Sequence, residues 1–294
     1  MSISNVAPEG VIELEDSQFK QRRRFNISPR IVISYAVLLL IAAAYLGPLL
    51  MLVNTSFLTN RQFNRNATQL PESISFENYE EAWEEGNFSQ YMLNSAFYAI
   101  SATTIYVLTA VFVAFPIARG YIRGGGIIFT LFLIALFLPP ALIPQFQLML
   151  ALDLYNTQVG YITLLVVNPV GIIIMVNYMK SLPRELDEAA AMDGCGYIRF
   201  MLYIVIPLAR PVIATVVVLH AIGIWNELIL ATIYLTDEAS YPITRGLLVF
   251  QGVYGSEWPV LASAVVLMAI PMVILFLVLQ RYIISGLTQG AVKS

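Results

Sequence analysis

Residues 185–196 read "ELDEAAAMDGCG": acidic, rich in alanine, and broken by Gly194 and Gly196. Pro183 stands where a first helical position is expected and Glu185 falls in the first turn, so the spacing predicts a short helix over residues 183–193. The two glycines permit a sharp bend. A second helix follows, with Tyr197, Met201 and Ile204 on one side, stopping at Pro207. This polar helix–Gly–helix unit lies between apolar stretches on both sides.

Those stretches set the fold class. Of 294 residues, 58% are hydrophobic and 12% charged, and the mean hydropathy is +0.74; soluble domains carry about a quarter charged residues. No charge occurs between Arg30 and Arg61, Glu85 and Arg119, Arg123 and Asp153, Asp153 and Lys180, or Glu257 and Arg281. Only Glu227 lies between Arg210 and Asp237. A bilayer core needs about 20 apolar residues per helix, so an all-α integral membrane protein with six transmembrane helices is expected. The spans fall at 31–53, 91–118, 127–150, 160–179, 211–235 and 258–284, the fourth interrupted by Asn168-Pro169-Val170-Gly171. Ala42-Ala43-Ala44 after a basic start resembles a cleaved signal, but the apolar run continues to Val53, which favours an uncleaved first span.

Positive charge gives the orientation. With both termini inside, the inner side holds Lys20, Arg22, Arg23, Arg24, Arg30, Arg119, Arg123, Lys180, Arg184, Arg199, Arg210, Arg281 and Lys293, against Arg61, Arg65 and Arg245 outside. The parts are then a cytoplasmic tail (1–30), a six-span domain (31–284) and a cytoplasmic tail (285–294). The six-span domain carries an external segment (54–90) and a cytoplasmic loop (180–210). In the external segment Ser75 reads as an N-cap, and Phe76, Tyr79 and Trp83 share one helical face. That face lies either in the outer interface or on the protein's own outer surface.

The chemistry that the chain lacks narrows its function. One cysteine, Cys195, forms no internal disulfide, and one histidine, His220, supports no multi-histidine metal site. With no Ser/His/Asp or metal-ligand cluster, no catalytic residue is expected. None of Lys20, Lys180 and Lys293 follows a glycine, so no phosphate-binding GxxxxGK[ST] loop exists. The paucity of intramembrane carboxylates and the lack of visible repeats speak against an ion-driven secondary transporter. Polar groups inside spans are candidates for a translocation pathway: Gln145, Gln147, Asn168, Trp225, Asn226 and Glu227. Hydrogen bonding between helices is the competing role, equal in weight for Glu227 and stronger for the amides. In the loop, the helix dipole accounts for Glu185. It accounts poorly for Glu188, taken as lying beyond the first turn, while Asp193 could cap the second helix. Ala189, Ala190 and Ala191 leave a flat surface that another protein could approach.

Glu188-Ala189-Ala190, three residues, Gly194, nine residues, then Ile204-Val205-Ile206-Pro207 resembles the EAA loop of membrane subunits of binding-protein-dependent ABC importers. Ile206 stands where that pattern usually has leucine. "FENYEEAW" (76–83), "NSAFYAIS" (94–101), "AFPIARGYIRGGG" (114–126), "LFLPPALIPQFQLMLALDLYNT" (136–157), "GIWNELILATIYLTD" (223–237) and "LQRYIISGLTQGAVKS" (279–294) resemble carbohydrate permeases related to the maltose system, in particular its smaller permease.

The resemblance implies a carbohydrate importer, with a glycerol phosphoester or polyol as the alternative cargo. The loop would be a coupling helix docked in a separate ATPase subunit. Glu188 would pair with a basic group there, Ala189 and Ala190 would allow close packing, and Gly194 would supply the turn, with Asp193, Ile204, Ile206 and Pro207 completing the motif. Gly286, Gln289 and Gly290 would reach the same ATPase. The partners implied are a homologous second permease, two ATPase subunits that bind ATP and Mg, an extracytoplasmic solute-binding protein, the sugar and the bilayer. No cofactor on this chain and no nucleic acid are implied. The location is a prokaryotic inner membrane.

Overall fold

The computed structural model describes residues 29–84, 87–254 and 257–291, with side chains left out at 29–30, 249–250, 253–254 and 281–291. The basic cluster Lys20, Arg22, Arg23 and Arg24 lies outside the described residues. Every described element is helical or turn, as a lipid-embedded backbone that must satisfy its own hydrogen bonds requires.

The chain divides into two compact units, residues 1–49 and 50–294. In the first, α1 (Pro29–Ser56) begins, and all its side chains from Ile31 to Leu49 are exposed. Apolar on every face, it has the composition of a helix solvated by lipid.

The second unit is built around α4 (Phe88–Arg119), whose 32 residues make a rod of about 48 Å. It ends at Gly120, φ +74°, where a Cβ would be strained. α1, α4 and α15 (Trp258–Ala291) are each long and apolar enough to cross a membrane alone. α7 (Gln158–Val166) and α8 (Pro169–Lys180) form one pair bent by 42°. Two shorter apolar helices, α5 (Gly125–Ala135) and α6 (Leu142–Ala151), precede them.

After α8 come α9 (Glu185–Met192), α10 (Tyr197–Phe200), a π-turn (Met201–Val205) and α11 (Ile206–Leu208). The segment Tyr197–Leu208 meets α12 (Arg210–Trp225) at 77°. α13 (Ile229–Tyr234) and α14 (Ile243–Tyr254) complete the set, with α2 (Asn60–Arg65) and α3 (Glu77–Glu84) before α4.

Two features differ from the sequence reading. The third and fifth apolar runs are broken, at Pro139-Pro140 and at Asn226–Leu228. Proline removes an N–H and its ring clashes with the preceding turn; at the fifth run the Glu227 carboxylate takes a backbone N–H instead (below). The last helix continues to Ala291, beyond the end expected for the sixth span near 284. Gly286, Gln289 and Gly290 thus have helical backbone, and their side chains lie outside the described residues.

In the segment 54–90 α3 packs on the protein itself. Phe57 meets Phe76 and Tyr79 with centroids 5.7 and 5.5 Å apart. The Tyr79 and Ser56 hydroxyls are 2.6 Å apart, and Asn78 Nδ2 donates to the Ser56 and Leu58 carbonyls. Glu77 N–H donates to Ser75 Oγ, but the Phe76 carbonyl accepts the first helical bond, from Glu80, so Ser75 lies one residue before the expected N-cap position. α2 carries a full capping box between Thr59 and Gln62.

The core has two main halves. One gathers around the first half of α4, with Tyr91, Tyr98, Tyr161 and Trp225 buried. The other gathers around its second half and joins Phe115, Met175 and Met179 to Ala190, Phe200 and Met201 of the loop. The second half makes the loop part of the core.

Candidate functional site

The loop starts two residues later than the spacing predicted. α9 begins at Glu185, with Arg184 as its N-cap, and Pro183 stays outside. The cause is Arg119 at the end of α4. Its guanidinium donates to the Leu182 carbonyl (2.9 Å) and the Pro183 carbonyl (3.1 Å), and pairs with Asp187 at 2.8 Å. Arg119 is only 9% exposed and lies over the Phe115 ring, 5.5 Å from its centroid. A desolvated charge needs this many partners to be tolerated. The Tyr121 hydroxyl donates to the other Asp187 oxygen. Burial, and then this bond, push the Tyr121 phenol up to about 12, so it stays a donor.

The later start changes the reading of Glu188. Glu185, Asp187 and Glu188 now share the first turn, so the dipole argument covers all three and does not set Glu188 apart. Exposure does. Asp187 and Ala190 face the core, while Glu188, Ala189 and Met192, the last 89% exposed, face away. The alanine pair is thereby split: Ala189 is on the outer face, and Ala190, 6% exposed, is packed in the core.

α9 closes in a Schellman motif. Cys195 N–H donates to the Ala190 carbonyl (2.9 Å) and Gly194 N–H to the Ala191 carbonyl (3.1 Å), with Gly194 at φ +64°. Asp193 is the C-cap residue, and Gly196 precedes α10 without a side-chain cap. Phe115, fully buried, then holds the loop from beneath, edge-on to Phe200 at 5.8 Å. Pro207 accounts for the π-turn: a wider turn avoids the clash its ring would make one α-turn earlier, and Ile206 N–H reaches back to the Met201 carbonyl. Ile204 and Ile206 are half-buried against the same core. At the 77° bend the Tyr178 hydroxyl donates to the Leu208 carbonyl, 3.0 Å.

A second region gathers the pathway candidates. The breaks in the third, fourth and fifth apolar runs meet around a cavity of about 750 Å³ whose wall includes Pro139, Pro140, Gln145, Val167, Pro169 and Glu227. A smaller cavity beside it, about 180 Å³, is bordered by Asn168, His220 and Glu227. Non-helical backbone at membrane depth is tolerated where it is buried or lines such a space.

Each candidate there also holds local structure. Glu227 Oε1 accepts from Leu230 N–H at 2.9 Å, and Asn168 Oδ1 accepts from Val170 N–H at 2.8 Å. Gln145 Oε1 lies 3.4 Å from the Tyr234 hydroxyl. Three candidates stand apart from these cavities. Trp225 is buried and donates to the Met268 carbonyl of α15 at 3.1 Å. Asn226 Nδ2 donates to the Ile222 carbonyl one turn back, and Gln147 is exposed on α6.

Sequence reasoning missed Arg119, counted only as inner-side charge, and Tyr121, Asp187 and Phe115, to which it gave no role. The i, i+4 spacing of Phe115 and Arg119 at a span's end was the available signal. It also missed the role of His220.

Residues 85–289 match the family described as binding-protein-dependent transport system inner membrane component. The chain is 33% identical over 290 residues to the probable ABC transporter permease protein YurM of Bacillus subtilis, covering 97% of this chain and 95% of that one. It is 30% identical to the diacetylchitobiose uptake system permease protein NgcG of Streptomyces coelicolor, over 89% of this chain and 88% of that one. Among solved structures, a chain of a bacterial ABC transporter involved in alginate import superposes with a TM-score of 0.78 at 25% identity, covering 86% of this chain and 95% of that one. A chain with one loop bolted to its core and, elsewhere, a cavity where broken helices meet thus belongs to the inner-membrane permease components of binding-protein-dependent ABC transport systems.

Proposed function

We propose that this chain is the permease subunit of an ATP-driven importer for a carbohydrate. It crosses the membrane six times with both termini in the cytoplasm, counting α5–α6, α7–α8 and α12–α13 as one span each. It works with a second permease, two ATPase subunits that bind ATP and Mg, and an external solute-binding protein. The observation that carries this reading is the division of α9. Glu188, Ala189 and Met192 point away from the core, while Asp187 and Ala190 anchor the helix to α4. A face that is rigidly backed and open outward is what a separate ATPase needs in order to move the spans. Such transport is a two-state rearrangement biased by ligands that bind the states unequally. The carbohydrate class rests on the relatives whose names state a sugar, among them diacetylchitobiose and melibiose/raffinose/stachyose permeases. For the pathway, Gln145, Asn168 and Glu227 are retained, because they border the cavities where the broken helices meet.

The test is co-purification of the intact complex, followed by ATP hydrolysis with its binding protein and a panel of raffinose, diacetylchitobiose and arabino-oligosaccharides. One sugar is expected to stimulate hydrolysis, and Glu188→Lys is expected to abolish ATPase association while the subunit still inserts. Wild-type co-purification and stimulation in Glu188→Lys would sink the coupling assignment. Stimulation by no sugar but by a phosphorylated solute would sink the cargo assignment.

A further inference from the structure

The lone histidine and a tyrosine on α4 occupy the break between α7 and α8, where Pro169 leaves two defects in the backbone. The Leu165 carbonyl would ordinarily accept from residue 169, and proline has no N–H. His220, 5% exposed on α12, lies with Nε2 3.1 Å from that carbonyl. A carbonyl only accepts, so Nε2 carries the proton and Nδ1 accepts. The Thr103 hydroxyl, 3.1 Å from Nδ1, supplies the matching donor.

The second defect is the first-turn bond of α8. In α7, α10 and α12 the corresponding N–H donates directly to the capping carbonyl, as from Tyr161 to Thr157, Phe200 to Gly196 and Ile213 to Ala209. In α8 the Tyr106 hydroxyl takes the place of that bond. It accepts from Ile172 N–H (3.1 Å) and donates to the Asn168 carbonyl (2.8 Å). A side chain inserted into the ladder is a recognised cause of a bend. Gly171 makes the insertion possible, since a Cβ there would stand 2.5 Å from the Tyr106 hydroxyl. Tyr106 and His220 stack with centroids 4.1 Å apart and planes 12° apart, so each fixes the other. Tyr106, Asn168 and His220 also border a cavity of about 260 Å³.

We propose that Thr103, Tyr106 and His220 form a pin that holds the fourth span broken at Asn168 and so positions the Asn168 edge of the pathway. Two spans reach across to supply the hydrogen bonds that Pro169 and the break remove. The role in transport rests on the pathway reading above; the pin itself does not.

The test reads the break directly. Amide hydrogen exchange is followed by mass spectrometry on the assembled complex in nanodiscs, comparing residues 160–175 with the rest of the chain. Tyr106→Phe removes one oxygen and leaves the ring stack. It and Gly171→Ala are expected to speed exchange across residues 166–172 on the order of tenfold, with exchange in α9 and α15 unchanged. His220→Leu gives the same local pattern. His220→Gln, whose amide N–H stands near the place of Nε2, returns exchange toward wild type. Wild-type exchange across residues 166–172 in both Tyr106→Phe and His220→Leu would overturn the pin. So would acceleration spread evenly over the chain, which marks general destabilisation. If His220→Leu fails to assemble, Tyr106→Phe alone decides. Loss of sugar-stimulated hydrolysis in Gln145 or Glu227 variants bears on the pathway reading and leaves the pin untouched.

Discussion

The loop at residues 183–207 and the cavity wall at 138–145, 167–169 and 227–230 are both made of interrupted helices, and they are mended by different means. In the loop the mending group is a charge, Arg119, which holds two carbonyls and the Asp187 carboxylate from another span. Around the cavity the mending groups act over one turn or are uncharged: Asn168 and Glu227 cap the next helix, and Tyr106 and His220 bridge the break from neighbouring spans. A buried ionic anchor loses much when one partner is removed, because the other charge is left stranded. Single neutral bonds contribute about 1 kcal/mol each. The loop is therefore held as one body, and the cavity wall by bonds that can be removed one at a time; on the function proposed above, the first suits transmission of force and the second adjustment.

The sharpest way to break this contrast is Arg119→Ala. It strands Asp187 and frees two carbonyls, so a loss of about 3–5 kcal/mol is expected. Arg119→Lys should recover little of it, because one ammonium cannot reproduce a planar fork over three oxygens. The measurement is thermal unfolding of the detergent-solubilised subunit, with ATPase co-purification alongside. A lysine variant as stable as wild type would show that charge alone, and not the fork, seats the loop.

The next effect is smaller and local. Gly194 has open space where a Cβ would be but sits at φ +64°. Gly194→Ala therefore costs backbone strain alone, about 1–2 kcal/mol, and Gly194→Asn less, since asparagine tolerates the left-handed region. Thermal unfolding of the three proteins should rank them Gly, Asn, Ala. Equal stability would mean that the Schellman turn relaxes when the strain is imposed, and α9 would then not be held as one body with the core.

These two sites mark what could be read in the sequence. Gly194 was legible because a turn's requirement is local: a glycine after an alanine-rich helix declares it. The membrane class was legible because a water-soluble fold rarely tolerates repeated uncharged runs of span length, and the loop because its spacing is contained in one stretch. Arg119 was not legible, because its partners lie some sixty residues away and its burial depends on how α4 ends beside α9. Glu188 shows a subtler limit. Its place relative to the helix start was misjudged by assuming that Pro183 is helical, and the anchor that keeps Pro183 out of α9 is that same distant arginine. The breaks at Pro139-Pro140 and Glu227 had their residues in view, but long apolar runs read as continuous until packing shows where the helix stops.

Glu227 gives the smallest expected effect and the finest test of the contrast. Its Oε1 caps α13 through Leu230 N–H, its backbone carbonyl accepts from the Thr244 hydroxyl, and it borders both cavities. Glu227→Gln keeps an acceptor oxygen at the cap and removes the charge, so it should change stability by less than about 0.5 kcal/mol. Glu227→Ala removes the cap, and should cost about 1 kcal/mol in the same unfolding measurement. If capping is all that Glu227 does, glutamine supports full sugar-stimulated ATP hydrolysis and alanine loses activity only in proportion to its stability. If the carboxylate also faces the cargo, glutamine keeps the stability and loses the stimulation. That split between the two readouts would move Glu227 from the class of residues that mend a helix to the class that meets a sugar.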